Sequence, residues 1–226
     1  MGVLEKSNPV ELEVLQDMQK ILKHRGPDDS GLQRFQMAYS DKGLYNYGGV
    51  AFDRLSIRDL SQAGHQPMES EDKQVILAMN GEIYNSEELR PELESQGVVF
   101  NGSSDTEVLL QLYLHYGIDK SLKMVDGVFA LCIVDLTKQK IYLSRDWFGE
   151  KPIYYYRKDD YFLFANDQTL QLDTYMPTLY ESIITANWYM RHGSLGAYAQ
   201  PKWDAMLEVL KTAGKNHDEI KIYTAT

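Results

Sequence analysis

Met79-Asn80-Gly81-Glu82-Ile83-Tyr84-Asn85 follows the apolar run Val75-Ile76-Leu77-Ala78. Four consecutive apolar residues before a turn signal read as a buried strand. Asn-Gly directly after it predicts a tight bend, because Gly81 tolerates backbone angles that side chains exclude. Such a bend can aim two neutral donors, the Gly81 backbone N–H and the Asn80 side-chain amide, at one point. A negative oxygen in acyl-transfer chemistry requires that convergence. An ordinary surface turn uses the same dipeptide, so the stretch carries both readings until its neighbours are read.

Downstream, Ser86-Glu87-Glu88-Leu89 supplies a capping residue and an acidic first turn, predicting a helix from Ser86 to about Gln96, with Gly97 as its stop. Val98-Val99-Phe100 reads as a short strand. Ser104 or Asp105 then caps a second helix over 106–116, whose buried stripe is Val108, Leu109, Leu112, Tyr113 and Tyr116. Asp105 reads either as a cap alone or as a carboxylate with one oxygen left for an ammonium group. The run Gly127-Val128-Phe129-Ala130-Leu131-Cys132-Ile133-Val134-Asp135 is almost wholly apolar. It predicts a central strand buried on both faces. Cys132 in its middle is desolvated, has no neighbouring base, and is therefore inert. Leu136–Gln139 turns into a strand over 140–145, and 151–157 with 161–165 form a further hairpin.

Upstream, Leu12, Leu15, Met18, Ile21 and Leu22 recur at helical spacing, predicting an amphipathic helix over 11–22 with Pro9 in its entry turn. Gly26-Pro27 ends it. His24 to Gly31 reads as a polar loop ordered by a salt bridge from Arg25 to Asp28 or Asp29. Gly48 to Ile57 reads as a strand with alternating faces. Arg54 lies inside it, either at the surface or as a fork holding a substrate carboxylate in two parallel bonds. Antiparallel strand pairs with a few amphipathic helices give a layered α+β fold.

The 226 residues suit one large domain or one with an appendage. A net charge of −10 repels nucleic acid and anionic membrane surfaces, so neither is expected as a partner. Neither a membrane-length apolar run nor a signal peptide is present, and one cysteine permits no internal disulfide. These features point to the reducing cytoplasm. No metal-ligand cluster and no Walker-type or dinucleotide loop is seen, so no cofactor is expected.

Around the central stretch stand His24-Arg25-Gly26-Pro27-Asp28-Asp29-Ser30-Gly31, Arg54-Leu55-Ser56-Ile57 and Gly64-His65-Gln66-Pro67-Met68. After it come Ser104-Asp105-Thr106-Glu107-Val108, Asp126-Gly127-Val128-Phe129-Ala130 and Arg145-Asp146-Trp147-Phe148-Gly149-Glu150-Lys151-Pro152. In this order the blocks resemble the glutamine amidotransferase domain of asparagine synthetases, the class II or N-terminal-nucleophile type. The resemblance implies the four-layer α-β-β-α sandwich of those hydrolases over residues 1–170. It also implies that Arg54 holds a glutamine α-carboxylate and Asp105 its α-ammonium, while Glu82 contacts the amino-acid end. Asn80 and Gly81 would form the oxyanion hole.

Two features depart from the family. The family begins Met-Cys-Gly, with the cysteine as nucleophile, whereas this chain begins Met1-Gly2-Val3. Arg58 stands where Ile or Val is usual. Losing a nucleophile removes on the order of 10⁶ in rate, so the sequence as written reads as a poor glutaminase: a pseudoenzyme that is structural or binds glutamine. The other readings are an active amidotransferase whose native N-terminus is Cys, and a subunit passing ammonia to a separate synthetase. Residues 171–226 carry helical spacing and lack the synthetase pyrophosphate loop, so they read as a helical extension. The oligomeric state stays open, a homo-oligomer included.

Overall fold

The strand signalled by Val75–Ala78 runs further than its apolar core suggests. The computed structural model describes residues 1–37, 47–55, 59, 61–158, 161–166 and 220–224. Its order is β1 (Gly2–Glu5), α1 (Leu12–Leu22), β2 (Asp29–Gln36), β3 (Tyr47–Arg54), β4 (Met68–Glu69), β5 (Val75–Ile83) and α2 (Ser86–Ser95). Then follow α3 (Asp105–Tyr116), α4 (Ile118–Met124), β6 (Gly127–Asp135), β7 (Lys140–Arg145), β8 (Tyr154–Lys158), β9 (Tyr161–Ala165) and β10 (Ile220–Thr224). All belong to one compact unit, Met1–Asp167 with Glu219–Thr226.

Two five-stranded sheets carry the fold, ordered β2-β3-β1-β9-β8 and β10-β7-β6-β5-β4. Among the described strands every strand pairing is antiparallel except β10 against β7. The predicted central strand β6 lies in the middle of the second sheet, and its alternating residues explain the layering. Cys132 and Val134 face the first sheet, in a core shared with Leu4, Val50, Phe162 and Phe164. Leu131 and Ile133 face the other way, onto Leu109, Leu110 and Tyr113 of α3. Outside the first sheet, Leu15 of α1 packs on Val3 and Ala51. The sequence of layers is therefore α-β-β-α, with each sheet covered on both faces. The expected fold class is the one observed.

Several local expectations are corrected. Asn80-Gly81 is not a turn: β5 continues through both residues, and Gly81 pairs with Phe129 of β6. The Gly81 side of the expectation holds in another form, because its φ of +147° lies where side chains are disfavoured. A Cβ there would also fall 2.0 Å from the Val128 carbonyl oxygen. Val98–Phe100 forms no strand; Val98 and Phe100 pack against the α2–α3 cluster while Val99 points to solvent. Asn85, not Ser86, precedes α2 at the cap position. α1 starts at Leu12, so Pro9 lies outside its first turn. Asp29 and Ser30, read as loop, already belong to β2.

α4 carried no sequence signal strong enough to be read: it has seven residues, of which Ile118 and Ser121 are buried. Residues 220–224, placed in a helical extension by the sequence, form the strand β10 instead. The remainder of 171–226, residues 56–58 with Arg58, and the hairpin tip at 159–160 lie outside the described residues.

Candidate functional site

The end of β3, the second half of β5 and the start of α3 converge on a cleft of about 310 Å³. Arg54, Asn80, Gly81, Glu82 and Asp105 all line it. The five residues singled out in the sequence, spread from position 54 to position 105, are thus brought to one place. β3 and β5 belong to different sheets, so only the stacking of the two sheets unites Arg54 with the Asn80–Glu82 segment.

Arg54 ends β3 and is 9% exposed. Its Nη1 donates to the Ser61 carbonyl at 3.4 Å, and Nη2 donates to the Asp59 carbonyl. A guanidinium has five N–H donors, so this anchoring leaves part of the fork for a ligand. The alternative of a surface arginine is excluded by its burial.

Asp105 is also buried. The capping question has a definite answer: Ser104 is the cap, its Oγ accepting the Glu107 N–H at 3.1 Å. Asp105 is the first residue of the helix and not its cap. Its Oδ2 accepts the Ile83 N–H at 2.8 Å and its Oδ1 the Thr106 N–H at 2.9 Å. A carboxylate offers about four acceptor positions. The same carboxylate ties β5 to α3 and faces the cleft.

Met1 lines the cleft as well. Its carbonyl accepts the Ala51 N–H at 3.0 Å and its α-amine donates to the Ala51 carbonyl at 3.1 Å. Burial pushes that amine below its ordinary pKa, against the pull of Cys132 and Asp53. The residue held against Ala51 thus carries a thioether, which is no acyl-transfer nucleophile. The charge on the same amine draws the Cys132 pKa down. Burial wins, pushing the thiol up to about 12. Of the two grounds for expecting an inert thiol, desolvation is the one that operates.

Four further lining residues escaped the sequence reading: Asp53, Asp59, Gln66 and Lys151. The Asp53 carboxylate is buried, and the Lys23 ammonium lies 3.8 Å from its Oδ1. Burial raises its pKa, partly offset by Lys23. Gln66 joins two walls of the cleft: its Oε1 accepts the Met79 N–H at 2.7 Å, and its Nε2 donates to Thr106 Oγ1 at 3.2 Å. The Gly-His-Gln-Pro block contained Gln66, but nothing in it revealed which groups its side chain meets. Likewise Asp29, assigned to Arg25 with Asp28 as the other choice, meets His65 Nδ1 at 2.7 Å. The Arg25 side chain lies outside the described residues. Among the described residues no group of three or more His, Cys, Asp or Glu is placed to hold a metal ion, and no helix is long and apolar enough to cross a membrane.

A model of the glutamine amidotransferase domain family matches residues 1–191. The chain is 40% identical over 156 residues to asparagine synthetase [glutamine-hydrolyzing] 1 of Bacillus subtilis, covering 69% of this chain and 23% of that protein. It is 39% identical over 181 residues to a putative asparagine synthetase [glutamine-hydrolyzing] 2 of Methanocaldococcus jannaschii, covering 74% and 33% respectively. The chain therefore spans about a quarter to a third of these relatives' length. Among solved structures, glutamine phosphoribosylpyrophosphate amidotransferase from B. subtilis is similar with a TM-score of 0.59 at 22% identity. That alignment covers 76% of this chain and 43% of the other, and at such identity it speaks for the fold alone.

Proposed function

This chain belongs to the glutamine amidotransferase domain family, and from that premise we propose that its cleft binds glutamine. One observation carries the reading: Arg54, Asn80, Gly81, Glu82 and Asp105 line a single cleft although they come from two sheets and a helix. Arg54 binds the α-carboxylate through the unspent part of its fork, and Asp105 binds the α-ammonium, each contact charge-assisted. Glu82 adds to the amino-acid end. The side-chain amide of glutamine then extends toward Asn80 and Gly81, which serve as oxyanion donors. Losing one such donor costs about 3 kcal/mol of barrier.

We infer that the cleft with Met1 in this position binds glutamine without hydrolysing it. Amide hydrolysis of this type needs a first residue that supplies both a nucleophilic side chain and an α-amine as base. Met1 is held against Ala51 and lines the cleft, and it supplies the amine but no such side chain. The oxyanion hole and the binding groups alone leave only about 10³–10⁴ over the reaction in water. With its relatives as guide, the domain serves asparagine biosynthesis in the cytoplasm beside a synthetase domain or subunit.

Two preparations assayed side by side test this: the chain as written, and a version with cysteine inserted between Met1 and Gly2. Glutamine binding by both, with glutamate release by the cysteine version only, is the expected result. Appreciable turnover by the unaltered chain would show that the nucleophile is supplied elsewhere. Absence of glutamine binding by both would remove the site assignment itself.

A further inference from the structure

We propose that Asp59 is a positioning residue that sets the separation between the two ends of the amino-acid site. The inference rests on the glutamine-binding reading above and deepens it. Asp59 is buried at the rim of the cleft and faces two loops at once. Its Oδ1 accepts the Ser61 N–H at 2.8 Å and the Ser61 hydroxyl at 2.6 Å. Its Oδ2 accepts the Ser103 N–H at 2.8 Å and the Ser103 hydroxyl at 3.3 Å. One carboxylate therefore clasps Ser61 to Ser103.

Each clasped loop leads directly to one half of the site. On the first side, the Asp59 and Ser61 carbonyls are the acceptors that hold the Arg54 guanidinium. On the second, Ser103 is followed by the cap Ser104 and then by Asp105. Glu107 braces this second loop from behind, accepting the Asn101 N–H at 2.7 Å and the Gly102 N–H at 2.9 Å. The loops approach so closely that a Cβ on Gly102 would lie 2.6 Å from Asp59 Oδ2. Four donors on one carboxylate keep it ionised, and the Ser61 hydroxyl is the strongest of them in holding its pKa down at about 2.

A ligand that spans Arg54 and Asp105 depends on the distance between them. A ligand that uses Arg54 alone does not. This difference separates a positioning role from general destabilisation, which would weaken both ligands together. Asn at position 59 keeps the shape but offers an N–H₂ to one pair of donors, so one half of the clasp is lost.

The test measures calorimetric binding of glutamine and of its des-amino analogue, 4-carbamoylbutanoate, to the full chain and to Asp59→Asn and Ser61→Ala. In Asp59→Asn, glutamine affinity is expected to fall roughly tenfold, the size of one lost charge-assisted hydrogen bond. The des-amino analogue should change by less than about twofold. Ser61→Ala, which removes the 2.6 Å hydroxyl contact and the acceptor of the Ala63 N–H, should shift glutamine in the same direction by less and guards against misfolding of the first variant. Equal loss of both ligands, or no change in either, overturns the positioning role while leaving the site intact. If the unaltered chain binds no glutamine, the site reading fails and this inference falls with it.

Discussion

Asp105 Oδ2 accepts the backbone N–H of Ile83 at 2.8 Å, joining the first turn of α3 to the last residue of β5. The residue proposed to bind the α-ammonium is thus also the bolt between two elements of the site. Binding and stability are coupled at this one carboxylate, and the two can be separated by the choice of substitution.

Asp105→Asn retains an oxygen for the Ile83 N–H but removes the charge. Glutamine affinity should fall on the order of 10–100-fold, as for a lost charged hydrogen bond, with a smaller loss of stability than in Asp105→Ala because only the Thr106 N–H loses its acceptor. Asp105→Ala should lose affinity similarly and, because it strands a buried N–H, also lose about 1–3 kcal/mol of stability. Calorimetry and thermal unfolding of both variants check the pattern.

Arg54→Lys keeps the charge and removes the fork. Lysine cannot hold the Asp59 and Ser61 carbonyls and still present two parallel donors to a carboxylate. Glutamine binding should weaken by about tenfold or more. Unchanged affinity in a titration would mean that the guanidinium serves the loop only.

Gly81→Ala places a Cβ 2.0 Å from the Val128 carbonyl oxygen on a residue whose φ is +147°. The strain at such an angle is about 1–3 kcal/mol, and the clash adds to it. Denaturant unfolding should show a lowered midpoint, and Asn80→Ala, which requires no backbone shift, should not show a comparable loss.

The clasp carboxylate has a pH signature. Asp59 is held at about 2 by the Ser61 hydroxyl and the further bonds from Ser103 and Ser61, below its unfolded value of about 3.9. A depressed carboxylate stabilises the fold fully above the unfolded value and ceases to do so as pH falls through the folded one. Stability should therefore decline between about pH 4 and pH 2, and the decline should be shallower in Asp59→Asn. Chemical unfolding across that range measures the slope directly.

Cys132 should resist iodoacetamide in the native protein at pH 7 and react once the chain is denatured. Its thiol is 5% exposed and its pKa is pushed up to about 12 by burial, so almost no thiolate exists to be alkylated. Rapid native alkylation, followed by mass spectrometry, would contradict this.

The order of motifs and the apolar periodicities were sufficient to specify the family, the layered architecture and the helices α1, α2 and α3, because those signals are local and repeat along the chain. The double-faced apolar pattern of Phe129–Val134 likewise declared a central strand before any partner was known. The corrections arise where the deciding contact is distant. Asn80-Gly81 has the dipeptide of a turn, yet pairing with Ala130 and Phe129 keeps it extended. Asp105 resembles a cap, yet Ser104 takes that place and Ile83 claims the carboxylate. Asp59 had no legible role at all, since its partner Ser103 is 44 residues away. A sequence states which groups are present and how each segment prefers to fold. Which oxygen faces which donor across two stacked sheets is fixed only when burial forces every polar group in the cleft to find a partner.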